Sequence, residues 1–286
     1  MPAMPQRQTP KDLRFSARRK SFDIKNALAT DWHSDSAFIT AWFNAMSLLF
    51  PLGEKFFIDS VAYFKDQVED PQLTAEIAAF RAQEAMHRIE HQKYNESLCS
   101  QRGYDLERFE KKLRQRMAWA QKKLTPRRRL AGTVASEHLT AIMAHDMLSR
   151  KDSITGANPA ISELWIWHGI EETEHKAVAF DVYMAIGGTE FERRRALIVG
   201  TFFFFKDVMR NLIIMLHTDR KLWSIREWFN GFKFLFIRPG VLRRVASDWL
   251  SFLRNDFHPW QIDNRDLIYK WEIDQEISTK QSKNDH

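Results

Sequence analysis

A single cysteine, Cys99, occurs among the 286 residues. An intramolecular disulfide framework and a cysteine-rich zinc site are therefore excluded, and a reducing compartment fits. Glycine and proline are scarce, at 10 and 9 residues. With almost no Val/Ile/Thr alternation, a turn-rich sheet architecture is excluded too. Uninterrupted apolar runs of membrane-spanning length are also missing. The most apolar stretch, Ala196 to Leu216, holds Lys206, Asp207, Arg210 and Asn211 in its middle. Each central charge costs about 2.5–3.5 kcal/mol on insertion scales, so a span is not expected. Met1-Pro-Ala-Met-Pro-Gln-Arg-Gln has no apolar run behind its charges, so no secretory signal is expected. The expected location is cytoplasmic, with peripheral association with the inner membrane left open.

What is plentiful is Phe, Trp, Met, Lys and Arg, the composition of a helical protein. The net charge of +6 and a pI of about 9.4 raise nucleic acid or an anionic membrane as partners. The basic residues are spread over several stretches without a nucleic-acid motif, so nucleic acid is not expected.

Residues 1–30 are polar and basic and read as a partly disordered arm. Phe38, Trp42, Met46 and Leu49 follow a helical pattern, which Pro51 and Gly53 interrupt. A second helix is expected from Glu54 to about Val68. Asp70-Pro71 caps a third, whose seam runs Leu73, Ile77, Phe80, Glu84, His87, His91, Tyr94, Leu98 up to Gly103. Asp105 to Leu124 is a charged amphipathic helix suited to a crossover. Thr125-Pro126 opens a helix with Leu130, Val134, Glu137, Ala141, Ala144 and Leu148 on one face. After a loop at 151–160, Asn158-Pro159 opens one long helix, closed by Gly187-Gly188. Its inward row is Ile161, Trp165, His168, Glu172, His175, Ala179, Val182 and Ile186.

The expectation is an all-α chain: a four-helix bundle with a crossover helix over 31–188, a Phe-rich, basic helical extension over 189–268, and a polar tail over 269–286. In the extension, Lys206, Asp207 and Arg210 fall on one side of a helix and Phe202, Phe205, Met209 and Leu212 on the other. Residues 229–244 repeat the mixture of aromatic and basic side chains. Amphipathic helices mostly bury their apolar face in protein, so packing on the bundle or on a second subunit of a homodimer is preferred. Membrane contact through 196–244, or a lid over an apolar channel, is the functional alternative.

Carboxylates and imidazoles on apolar faces carry the chemistry. Two helices each offer Glu-x-x-His, as Glu84/His87 and Glu172/His175, and two offer a lone Glu, Glu54 and Glu137. Burying such groups without partners costs several kcal/mol each, so metal ions are implied. The i, i+3 spacing puts both members of a pair on one helix face, and this set is one a four-helix bundle uses to hold two metal ions. Glu171 remains an alternative to Glu172, which completes the repeated spacing. His91 is expected to be a hydrogen-bond partner behind a ligand, a role also open to Glu171 and Asp181. His138 and His145 read as ordinary core or rim histidines.

The order Glu54, Glu84-x-x-His87, Glu137, Glu172-x-x-His175 resembles the ferritin-like di-iron carboxylate superfamily. The strings at 43–51, 83–87, 136–141, 171–183 and 257–260 resemble one bacterial family in particular, described as a predicted metal-dependent hydrolase. His168, four residues before Glu172, is similar to the extra iron ligand of the p-aminobenzoate N-oxygenase type. The resemblance implies a ferritin-like fold with Glu54, Glu84, His87, Glu137, His168, Glu172 and His175 as ligands of two iron ions, with manganese or a mixed pair also admitted. The leading expectation is an oxygenase that activates O2 against a small apolar substrate, drawing electrons from a donor the sequence does not name, with Glu84, Glu172 and His168 at the reaction. A metal-dependent hydrolase working at the same site is the alternative, and a non-catalytic iron-binding protein the third reading.

Overall fold

The computed structural model describes residues 8–284 and, within them, an all-α bundle without β-strands. Residues 1–7 of the expected arm and 285–286 of the expected tail lie outside the described residues. The helices are α1 (Ala37–Ser47), α2 (Phe50–Ala62), α3 (Pro71–Arg102), α4 (Leu106–Lys123), α5 (Pro126–Arg150), α6 (Pro159–His175), α7 (Val178–Ala185), α8 (Glu190–Thr218), α9 (Ile225–Phe232), α10 (Val241–Ser251) and α11 (Arg265–Asn284).

Local chemistry sets most helix starts. Ser36, Asp70, Asp105, Thr125, Asn158 and Thr189 each accept a hydrogen bond from a first-turn N–H with the side chain. Pro71, Pro126 and Pro159 stand just inside three of these helices, where a missing N–H costs nothing. Gly103 ends α3 in the left-handed conformation at φ 65°. α2 packs on α3 and α5, and α5 on α6. α4 lies against α2 and α3, where a crossover was expected. One apolar cluster gathers Trp42, Phe43, Tyr94, Trp165 and Leu212, and another gathers Phe80, Leu130, Val178, Tyr183 and Phe252.

The structure differs from the expected helix bounds and faces at several places and adds detail to the arm and the tail. The break before Glu54 falls at Leu48–Leu49, because Pro51 is accommodated in the first turn of α2 and Gly53 lies inside that helix. That helix also stops at Ala62, short of Val68. The long helix from 159 is divided at Lys176–Ala177, where Lys176 Nζ reaches Ile262 O at 2.7 Å and Asn264 Oδ1 at 2.6 Å. Within the arm, residues 8–30 pack onto the bundle: Leu13, Ile24 and Leu28 are buried, and Arg18 and Lys20 pair with α6. The tail is helical as α11, which lies against α6 and buries Ile268.

A further difference concerns α8, which packs along α5 and α1. Its buried residues include Leu197, Val208, Leu212 and Met215, but also Asp207 and Asn211, while Phe202 is exposed. Asp207 belongs inside because Arg116 of α4 pairs with it. No helix among the described residues is long and apolar enough to cross a membrane.

Candidate metal centre

α2, α3, α5 and α6 bring Glu54, Glu84, His87, Glu137, His168, Glu172 and His175 together, all of them buried. The i, i+3 pairs on α3 and α6 work as helical geometry requires, each turning a carboxylate and an imidazole to the same side. His175 Nε2 lies 3.2 Å from Glu84 Oε1, 3.5 Å from Glu137 Oε2 and 3.5 Å from Glu172 Oε1. His87 Nδ1 is 3.6 Å from Glu172 Oε1 and 3.9 Å from Glu84 Oε1. His168 Nε2 is 3.0 Å from Glu172 Oε1. Two groups of three offer ligand atoms within 4.8 Å of one another and share Glu84: Glu84, Glu137 and His175, and Glu54, Glu84 and His87. His87, His168 and Glu172 make a third such group.

His175 and His168 are hydrogen-bonded from behind, and a carboxylate stands close behind His87. His87 Nε2 stands 3.0 Å from Glu171 Oε2. His175 Nδ1 meets Gln83 Oε1 at 2.9 Å, and His168 Nδ1 meets His91 Nε2 at 2.7 Å. Such contacts fix ring orientation and tautomer, leaving the opposite nitrogen turned to the carboxylates. The supports are themselves anchored. Gln83 Nε2 donates to Glu174 Oε2 at 2.6 Å, and Arg18 grips Glu174 through both terminal nitrogens. The Arg18 backbone N–H donates to Glu171 Oε1 at 3.0 Å. Ser47 Oγ contacts His91 Nδ1 at 2.9 Å.

This arrangement gives Glu171 and Glu172 different places. Glu172 faces the cluster, and Glu171 stands behind His87 against Arg18. His91 can also form a group with Glu54 and His168, but both of its nitrogens already have partners. Asp181 lies elsewhere. It accepts from Thr9 Oγ1 at 2.6 Å and contacts His258 Nε2 at 2.9 Å, so the imidazole it serves is not one of the cluster. His138 meets Asp248 O, and His145 meets the Asn264 amide, also away from the cluster.

The electrostatics of the cluster would suit cations. Both oxygens of Glu54, Glu84 and Glu137 are buried and have no well-formed hydrogen bond among the described residues. At roughly 1–3 kcal/mol for each buried unsatisfied group, these oxygens alone rival a domain's net stability of about 5–15 kcal/mol. Burial, then the neighbouring carboxylates, push Glu54 and Glu137 well above the usual carboxylate range. Burial also raises Glu84, against the pull of His175. Glu172 goes the other way: burial opposes its charge, but His175 and His168 hold it well below the usual range. Burial depresses His175 too, yet Glu172, Glu84 and Glu137 together raise it well above an ordinary histidine. Seven side chains of hard-to-borderline type face one another, and five of them, Glu54, Glu84, His87, Glu137 and His175, turn nitrogen or oxygen atoms inward without a hydrogen-bond partner among the described residues, which fits divalent cations.

An apolar cleft reaches this cluster. Trp42, Phe43, Met46, Phe50, Met143, Met147, Trp165, Phe234 and Val241 line it, and Thr140, Ser153, His168 and Glu172 are its polar part. Thr140 Oγ1 donates to Glu172 Oε2. Sequence reasoning singled out the ligand candidates but missed Arg18, Ser47, Gln83, Thr140 and Glu174. Gln83 had a signal, since it falls with Phe80 and His87 on the inward stripe of α3. Arg18 had none: its place is set by tertiary packing more than 150 positions from Glu171 and Glu174.

No curated protein and no solved structure matches the chain. A family model described as a predicted metal-dependent hydrolase matches residues 16–263, and the chain belongs to that family.

Proposed function

We propose that the chain is a metal-dependent enzyme working with two divalent cations, and that it hydrolyses a small, largely apolar substrate that enters by the cleft. The family's description supports hydrolysis. The observation that carries the metal reading is the set of buried carboxylate oxygens and imidazole nitrogens that face one another without protein partners. Glu84, Glu137 and His175 would hold one cation, and Glu54, Glu84, His87 and His168 the other, with Glu172 in reach of all three imidazoles. Divalent cations there would supply Lewis acidity and lower the pKa of a water.

The chain's own residues do the rest. Thr140 orients Glu172 at the floor of the cleft. Gln83 and His91 keep the His175 and His168 imidazoles aimed inward, and Glu171 stands beside His87. Phe50, Met143, Met147 and Trp165 exclude bulk water and present an apolar wall to the substrate.

A second reading, oxidation of the apolar substrate with O2 at two irons, is favoured by that same wall, since a dry site suits such chemistry. The experiment is an ester and amide panel assayed with zinc- and manganese-loaded protein under strict exclusion of O2. Turnover that is lost in Glu172→Ala supports hydrolysis. No turnover with either metal, together with O2 uptake by the Fe(II)-loaded protein, replaces it with the second reading.

A further inference from the structure

The segment after α8 is built the wrong way round for a helix that packs on a protein core. α9 buries its less apolar side. Glu227 Oε2 accepts from Ser36 Oγ at 2.7 Å and from the Phe38 N–H at 2.9 Å, which ties α9 to the start of α1. Gly231 lies against Phe38 so closely that a Cβ there would come within 2.3 Å of the ring. These two contacts fix the rotation of α9. Its other side, with Ile225, Phe229 and Phe232 at i, i+4 and i+7, therefore faces outward, and Trp228 at i+3 is partly exposed while its ring also packs on Phe38. Ile225 is 85% exposed, and Trp223 just before the helix is 90% exposed. Phe236 and Ile237, in the π-helical turn Lys233–Ile237 that follows, extend the patch.

Charge says what covers it. Between residues 220 and 243 the exposed charged side chains are Arg220, Lys221, Arg226, Lys233, Arg238 and Arg243, all positive. The one acidic residue of that stretch, Glu227, is buried. A contiguous aromatic face ringed by cations, with two tryptophans at its edge, has the make-up of an interfacial anchor for an anionic bilayer. It differs from a subunit interface, where like charges from two copies would oppose one another. We infer that α9 and the π-turn form a docking surface for an anionic membrane. Phe234 and Val241, in the same segment, line the cleft. Docking therefore sets one cleft wall against the lipid, independently of which reaction the metal centre performs.

The test is flotation of the full chain with phosphatidylcholine vesicles with and without phosphatidylglycerol, at low and high salt. Three forms are compared: the wild type, Trp223→Ser/Phe229→Ser, and Arg226→Glu/Lys233→Glu. Binding to the anionic vesicles at low salt is expected to exceed binding to the neutral ones by about ten-fold or more and to fall with salt. Both variants should lose it while keeping the wild-type helical content and bound metal. Failure to bind anionic vesicles, or equal binding to both compositions, would overturn the proposal. So would a wild-type dimer that the Trp223→Ser/Phe229→Ser variant dissociates, since the patch would then belong to a second copy.

Discussion

Glu171 and Glu172 are neighbours in the chain, but a helix turns successive side chains by about 100°, so they meet different partners. Glu172 points at His87, His168 and His175, and Glu171 stands behind His87. Glu172→Ala should lower the saturating metal content below two ions per chain. Glu171→Ala should leave the saturating metal content unchanged and weaken affinity about 10–100-fold, as loss of an orienting contact does. Elemental analysis with chelator competition separates the two, and equal losses would merge roles that the geometry keeps apart. His168→Phe should spare folding, because Phe50 and Trp165 already flank that ring, and should lower metal content. The ligand candidates were legible because one helix period ties Glu to His at i, i+3. Arg18 and Ser47 act across the bundle, where local spacing carries no such tie.

At the scale of elements, helix starts were legible and helix faces were less so. Asp70-Pro71, Thr125-Pro126 and Asn158-Pro159 announce their helices because capping is a matter of a few adjacent residues. The division after His175 and the burial of Asp207 depend on Lys176 reaching Ile262 and on Arg116 arriving from α4. Periodicity within one helix contains neither fact. The α1–α9 junction is of the same kind. In Glu227→Ala, Ser36 Oγ and the Phe38 N–H lose their buried acceptor, which should cost about 1–3 kcal/mol in urea unfolding. Metal content should stay at the wild-type level, because α9 carries no candidate ligand. An unchanged midpoint would mean that α9 does not cap α1 in solution.

For the molecule as a whole, the bundle and its buried charges make one thermodynamic unit. Cations that bind only the folded chain at a thousand times their dissociation constant add about 4 kcal/mol. Chelation should therefore lower the melting temperature by roughly ten degrees. Protons compete for the same atoms. Burial and the neighbouring carboxylates raise Glu54 and Glu137 above the carboxylate range, and, against burial, Glu172, Glu84 and Glu137 raise His175 above the histidine range, so without cations each keeps its proton to higher pH than usual. Binding must expel those protons, and apparent affinity should fall as pH falls. A metal titration in weak buffer that releases no protons would contradict this.

The central claim is that seven side chains on four helical segments hold two cations, and metal content tests it most directly. The reconstituted wild-type chain should carry two divalent ions. Glu84→Ala/Glu172→Ala should carry at most one, with its helical circular dichroism preserved. A wild type that binds fewer than two ions under saturating metal, or a double variant that keeps both, would contradict the account.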